Sequence, residues 1–97
     1  MSTITKKELI DRIAESTGTQ RGVVKPVVQS FLDEIVLELT RGNRLEFRDF
    51  GVFEIRTRPG RTARNPKTLE EVRVPAARVV KFKMGRLMKQ KLSTSRP

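Results

Sequence analysis

Arg58, Arg61, Arg64 and Lys67 recur every three residues, and no acid occurs between Glu54 and Glu70. Such a cationic string repels itself in isolation and favours a phosphate backbone, because each phosphate it neutralises releases condensed counterions. Within it, residues 60–68 read GRTARNPKT, with Pro66 set behind Arg64 and Asn65. Asn-Pro pairs often form turns and nothing more. A rigid apolar ring without a donor, held among cations, is also suited to wedge between base pairs from the minor groove and kink a duplex. Arg64 and Asn65 would then reach for the acceptors of that groove. The alternative for the same residues is a solvated, disordered basic loop, and the character of the tip favours the wedge.

Other chemistry is narrowed by what the chain lacks. It has no cysteine and no histidine, so disulfides, zinc–thiolate sites and thiol catalysis are excluded, and no side chain titrates near neutrality in its unperturbed state. The acids are scattered among compensating cations rather than paired, which argues against an enzyme and against a metal or other cofactor. The start, MSTITKKELID, has no apolar core behind a basic segment, and no apolar stretch approaches the roughly 18 residues that span a bilayer. A soluble, cytoplasmic protein without a membrane or small-molecule partner is expected.

The net charge of +10 is unevenly placed. Residues 1–43 carry six Lys/Arg and six Asp/Glu, which cancel, whereas residues 44–97 carry fifteen and five, so the surplus of ten lies entirely there. A neutral packing half and a half that meets a polyanion follow from that segregation. A basic surface kept for solubility is the bland alternative, but solubility does not require segregation.

These residues must be positioned by elements that the periodicity outlines. Thr5-Lys6-Lys7-Glu8 matches a capping box, with Ile4 and Leu9 at the staple positions, and it predicts a helix from Lys6 to about Ser16 closed by Gly18. Leu9, Ile10, Ile13 and Ala14 form its apolar face. A second helix, capped by Thr19, carries Val24, Val27, Val28, Phe31, Ile35 and Leu39, widened by Leu32 and Val36. So wide a stripe calls for a second covering surface, most simply another subunit. Pro26, well inside this helix, predicts a kink or an irregular first turn, and Gly42 is placed to end it.

The period then becomes two. Leu45 and Phe47, a turn at Asp49-Phe50-Gly51, and Phe53, Ile55 and Thr57 describe a hairpin with one apolar face, and Arg78 to Lys83 alternate as a third strand. Gly85 to Leu92 reads as a short basic helix, and 93–97 as a flexible tail. Between strands, about 17 residues from Pro59 to Pro75 lack a core pattern, which is long for a structureless loop. If its halves pair as a ribbon, each reaches roughly 25 Å, far enough to wrap a duplex.

On ELIDRIAE, RDFGVFEIR, RTARNPKT and the element order, residues 3 to 92 resemble the HU/IHF family of bacterial histone-like DNA-bending proteins. The resemblance implies an α+β fold: two N-terminal helices, a three-stranded antiparallel sheet with a long β-ribbon arm (about 58–76), and a short C-terminal helix. It implies a single domain over 1–92 that forms an intertwined dimer, associated with the nucleoid. Pro66 of each arm is then the intercalating residue; Arg58, Arg61, Thr62, Arg64, Asn65, Lys67 and Arg73 are arm contacts. Arg56, Arg78, Lys81, Lys83, Arg86 and Lys89 are phosphate contacts on or near the saddle floor. Phe47, Phe50 and Phe53 match an aromatic core cluster. The chain departs from the family at Ala63 and Leu69, where glycine is usual or frequent, at Met84, where proline is frequent, and at Pro26.

Two rivals of other classes stand beside this reading. A small RNA-binding or ribosome-associated protein is permitted by charge, but there is no Tyr or Trp and only five Phe, so the stacking platform for unpaired bases is missing. A dimeric scaffold whose arm binds an acidic protein or anionic membrane is the other, weakened for membranes by the lack of an aromatic anchor in the terminal helix. For double-stranded DNA, any sequence preference should come largely from bendability. RPGRTARNPKT resembles the site-preferring branch of the family slightly more than the indiscriminate one. Whether the dimer is a homodimer or a heterodimer with a related chain stays open on the sequence.

Overall fold

A computed structural model gives the protein's structure and describes residues 1–94. The chain divides into two compact units, Met1–Leu37 and the residues from Glu38 onward.

The first unit is a helical hairpin. Helix α1 spans Lys6–Thr17. Thr5 caps it from an extended backbone, its hydroxyl accepting from the Glu8 amide at 3.3 Å. The reciprocal half of the expected capping box is replaced: the Glu8 carboxylate turns instead to Arg12, one turn on, at 2.8 Å. Gly18, at φ 64°, closes the helix as predicted, and the Thr19 amide donates back to the Ala14 carbonyl at 3.0 Å. Helix α2 spans Arg21–Thr40. Its first carbonyl acceptor is Gln20, which receives both the Val23 and Val24 amides, so the start lies one residue later than the Thr19 cap expected from the sequence. Thr19 is already committed, its amide to the end of α1 and its hydroxyl to Thr17. The helix runs on through Pro26 without a break.

Little of the apolar surface is covered within the chain. Among the described residues the buried hydrophobic side chains are Ile10, Val24 and Leu39, while Leu9, Ile13, Val23 and Val27 remain exposed, Val27 at 65%. The wide stripe predicted for α2 is therefore real: Val24 and Leu39 are buried, whereas Val27, Phe31, Leu32 and Val36 are left exposed.

In the second unit α2 ends at a left-handed Gly42, with φ 81° and the Asn43 amide donating to the Glu38 carbonyl at 3.0 Å. Strands β1 (Leu45–Phe47), β2 (Gly51–Arg58) and β5 (Ala77–Met84) form an antiparallel sheet in the order β1-β2-β5, and β3 (Arg61–Arg64) and β4 (Glu71–Val74) form a separate two-stranded ribbon. The register pairs Phe53 with Phe82 and Ile55 with Val80. One face of the sheet therefore carries Phe47, Phe53, Ile55, Val80 and Phe82, and the rings of Phe47, Phe50, Phe53 and Phe82 meet at centroid distances of 4.8 to 6.3 Å. The aromatic cluster expected of Phe47, Phe50 and Phe53 is present, with Phe82 as its fourth member. Val80 is nonetheless 55% exposed, so this face too lacks a complete cover.

The turn from β1 to β2 fixes the last helix, α3 (Arg86–Thr94). Asp49 adopts φ 64°, its carbonyl accepts from the Leu87 amide at 3.1 Å, and the Phe50 carbonyl accepts from the Gly85 amide at 2.8 Å. Gly85 is required here, since a Cβ would stand 2.7 Å from the Asp49 backbone. The helix takes in Ser93 and Thr94, two residues past its expected end; the rest of the expected tail, 95–97, lies outside the described residues.

Candidate nucleic-acid interface

The sheet ladder and the ribbon ladder are separate. The first ends at the pair Arg58 and Ala77, the second begins at Arg61 and Val74, and Pro59-Gly60 and Pro75-Ala76 fill the gap. Proline has no amide to donate, so one on each strand stops a ladder without leaving a donor unpaired. Beyond the gap the excursion is the paired ribbon anticipated above. Thr62 faces Arg73 and Arg64 faces Glu71 on one side of it, while Arg61 faces Val74 and Ala63 faces Val72 on the other. The structure thus gathers Thr62, Arg64 and Arg73 on a polar side and puts Arg61 on the more apolar one. Arg58 and Arg61 line a notch of about 440 Å³ at the base, with Pro59 and Pro75.

The tip is a single helical turn. The Leu69 amide donates to the Asn65 carbonyl at 2.8 Å, and the Lys67 amide to the Asn65 side-chain oxygen at 2.9 Å. Asn65 is thereby the cap of this turn and Pro66 its first residue, the position where a fixed φ and a missing donor cost nothing. The Asn65 amide in turn donates to the Glu70 carbonyl at 2.9 Å, closing the turn onto the ribbon. Leu69 ends it at φ 60° and is 67% exposed.

The polar face of the sheet is a cationic floor. By strand alternation and register, Arg56, Arg58, Lys81 and Lys83 share the face opposite the phenylalanines, with Glu54 among them. Glu54 Oε1 lies 2.8 Å from Lys83 Nζ and 3.9 Å from Arg56 Nη2. Its contact with the Lys83 ammonium holds the carboxyl below its ordinary value against partial desolvation, with smaller help from the Arg56 and Arg44 charges. Among the described residues no ion pair engages Arg58, Arg61, Arg64, Lys67 or Arg73. The arm cations thus make no ion pair, although Glu71 stands opposite Arg64, whereas two floor cations already share an acid.

Not every expected floor residue lies there. Arg78 pairs with Thr57 and falls on the aromatic side of the sheet, where its Nη2 donates to the carbonyls of Leu39 at 3.0 Å and Thr40 at 3.2 Å. It satisfies the open carbonyls at the end of α2. Arg86 and Lys89 are on α3; Arg86 Nε is 3.8 Å from Asp49 Oδ1. The acid at Glu54 and the capping role of Asn65 were missed in the sequence, although an Asn followed by Pro at a first helical position is a recognisable start signal.

Comparison with known proteins agrees with this architecture. Residues 4–93 match the family profile described as "Bacterial DNA-binding protein". A probable DNA-binding protein HU of Chlamydia pneumoniae is 42% identical over 95 residues, spanning 97% of this chain and 95% of that protein. The integration host factor subunit alpha of Mannheimia succiniciproducens is 40% identical over 95 residues, spanning 98% and 97%. Among solved structures, an Anabaena HU–DNA cocrystal structure superposes with a TM-score of 0.85 at 34% identity, covering 95% of this chain and 100% of that one. With the profile matched over nearly all its length and the helical hairpin, three-stranded sheet and ribbon arm all in place, the chain belongs to the bacterial DNA-binding protein family of HU and integration host factor.

Proposed function

We propose that two copies of this chain, or one copy and a related chain, clasp double-stranded DNA between their arms and bend it, with Pro66 of each arm inserted as a wedge from the minor groove. The observation that carries this reading is the tip: a capped turn at the end of a paired ribbon whose first residue, between Arg64 and Lys67, is an exposed Pro66. Arg58, Arg61, Thr62, Arg64, Asn65, Lys67 and Arg73 serve the arm, and Arg56, Lys81 and Lys83 the floor, with Arg86 and Lys89 beside it on α3. Arg78 serves the end of α2 rather than phosphate.

Dimerisation is supported by the exposed apolar stripe of α2 and by Val80 and Met84 on the aromatic side of the sheet, surfaces that a 97-residue chain leaves uncovered. Membership in the family makes the chain an architectural protein and not an enzyme. No helix among the described residues is long and apolar enough to cross a membrane; the reading places the protein in the cytoplasm, on the nucleoid.

Energy transfer between the ends of a short labelled duplex, titrated with purified protein at two salt concentrations, tests it. A saturable rise that moves to higher protein concentration with salt supports bending. Binding without a change in transfer overturns it. Pro66→Ala is expected to keep much of the affinity, which phosphate contacts dominate, and to lose much of the bend.

A further inference from the structure

Leu69 is a large side chain in a backbone conformation that suits glycine. At φ 60° its Cβ crowds the following carbonyl, a penalty that Gly avoids and Asn tolerates. The left-handed backbone is what ends the tip turn, fixed by the bond from the Leu69 amide to the Asn65 carbonyl, but glycine would serve it at no steric cost. Leu69 is 67% exposed, so the fold of this chain gains little from the side chain, and the choice of leucine there points to a contact made elsewhere.

The tip geometry says where. Pro66 and Leu69 are three residues apart in one turn closed by the bond from the Leu69 amide to the Asn65 carbonyl. Their Cα atoms therefore stand at the two ends of a turn of about 5.4 Å pitch. Two apolar residues thus flank Lys67 and Thr68 at the extremity of the arm, beyond the ribbon's own apolar side of Ala63, Val72 and Val74.

We infer that Leu69 is a second apolar contact of the arm tip with DNA, packing against the sugar walls of the minor groove beside the step that Pro66 opens. The inference rests on the arm reading proposed above. The side chain adds apolar surface withdrawn from water only when the tip is seated, so it slows release of the bent complex without adding a phosphate contact.

Dissociation from a prebent labelled duplex, followed by loss of end-to-end energy transfer for the wild type, Leu69→Gly, Leu69→Asn, Leu69→Met and Pro66→Ala, tests it. Gly and Asn both relieve the backbone and remove the apolar group; both are expected to release DNA faster, about fivefold for each arm altered, as half-burial of a leucine implies, with the salt slope of binding unchanged. Met is expected to stay near wild type. Release of the Gly and Asn variants at the wild-type rate, with Pro66→Ala still losing its bend, overturns the inference and leaves the arm reading standing. Faster release accompanied by a shallower salt slope also overturns it, because phosphate contacts would then have been lost through a loosened arm. Unaltered bending by Pro66→Ala and unaltered release by the Leu69 variants sink both.

Discussion

Replacing Asn65 by alanine tests its observed job of shaping the tip against the groove contact proposed for it. The substitution removes the side-chain acceptor of the Lys67 amide and leaves the two backbone bonds, Leu69 to Asn65 and Asn65 to Glu70, in place. Loss of a cap of this kind costs about 1 kcal/mol, so the equilibrium between the presented and open tip should shift about fivefold toward the open one. In a homodimer both arms carry the change, which makes the expected loss up to about 2 kcal/mol, or about 30-fold in the constant for the bent complex. Energy transfer on a labelled duplex measures it. Because no cation is touched, the slope of log affinity against log salt should match that of the wild type. Asn65→Ser supplies a side-chain oxygen of comparable capping strength but no amide group, and it is expected to recover most of the loss. A serine variant as weak as the alanine one would refute the capping argument and assign Asn65 to direct contact with base edges.

Other expectations follow from the same geometry. Arg61→Ala removes two cations from a homodimer and should make the salt slope shallower by about 1.8, at about 0.9 per phosphate; an unchanged slope would mean that Arg61 does not meet phosphate. Glu54→Gln frees Lys83 and Arg56 on the floor and should tighten DNA binding while steepening its salt dependence, read in the same titrations. The folded Glu54 carboxyl titrates below its ordinary 4.5, so its pairing supports the fold at every pH above that value. That support fades as pH falls through the lower, folded value; binding should show no Glu54-linked change between pH 6 and 8. Arg78→Ala should lower stability by roughly 1–3 kcal/mol through loss of its two bonds to the end of α2, detected by thermal unfolding, with the salt slope of DNA binding intact. Gly85→Ala drives a Cβ to 2.7 Å from the Asp49 backbone and should cost about 1–3 kcal/mol by the same measurement.

Much of this was legible in the residues because local chemistry decides it. Thr5, Gly18 and Gly42 act within one helical turn, and period-two alternation sets the faces of β2 and β5 without outside help. Thr19 was misread because its amide was needed to close α1, a demand visible only once both helix ends are built. Arg78 was grouped with Lys81 and Lys83 by charge. Its parity matches Val80 and Phe82 instead, and in a strand parity decides the face. The ion pairs of Glu54 depend on packing across strands that spacing alone does not fix. The conformation of Leu69 was beyond reach for a different reason, since nothing in its type announces a positive φ.

The break at Pro59-Gly60 and Pro75-Ala76 bears on how load travels through the molecule. A continuous two-stranded ladder from floor to tip would behave as one lever, and any torque from a stiff duplex would be carried into the aromatic cluster. With the ladder interrupted on both strands at the same level, the ribbon is joined to the sheet by a flexure. Such a joint yields before the hydrogen bonds on either side of it do. On the arm reading proposed above, the arm would follow a helix of varying groove width and direction while the floor beneath keeps its shape, and strain from a bent duplex would fall on four residues that lie outside both ladders.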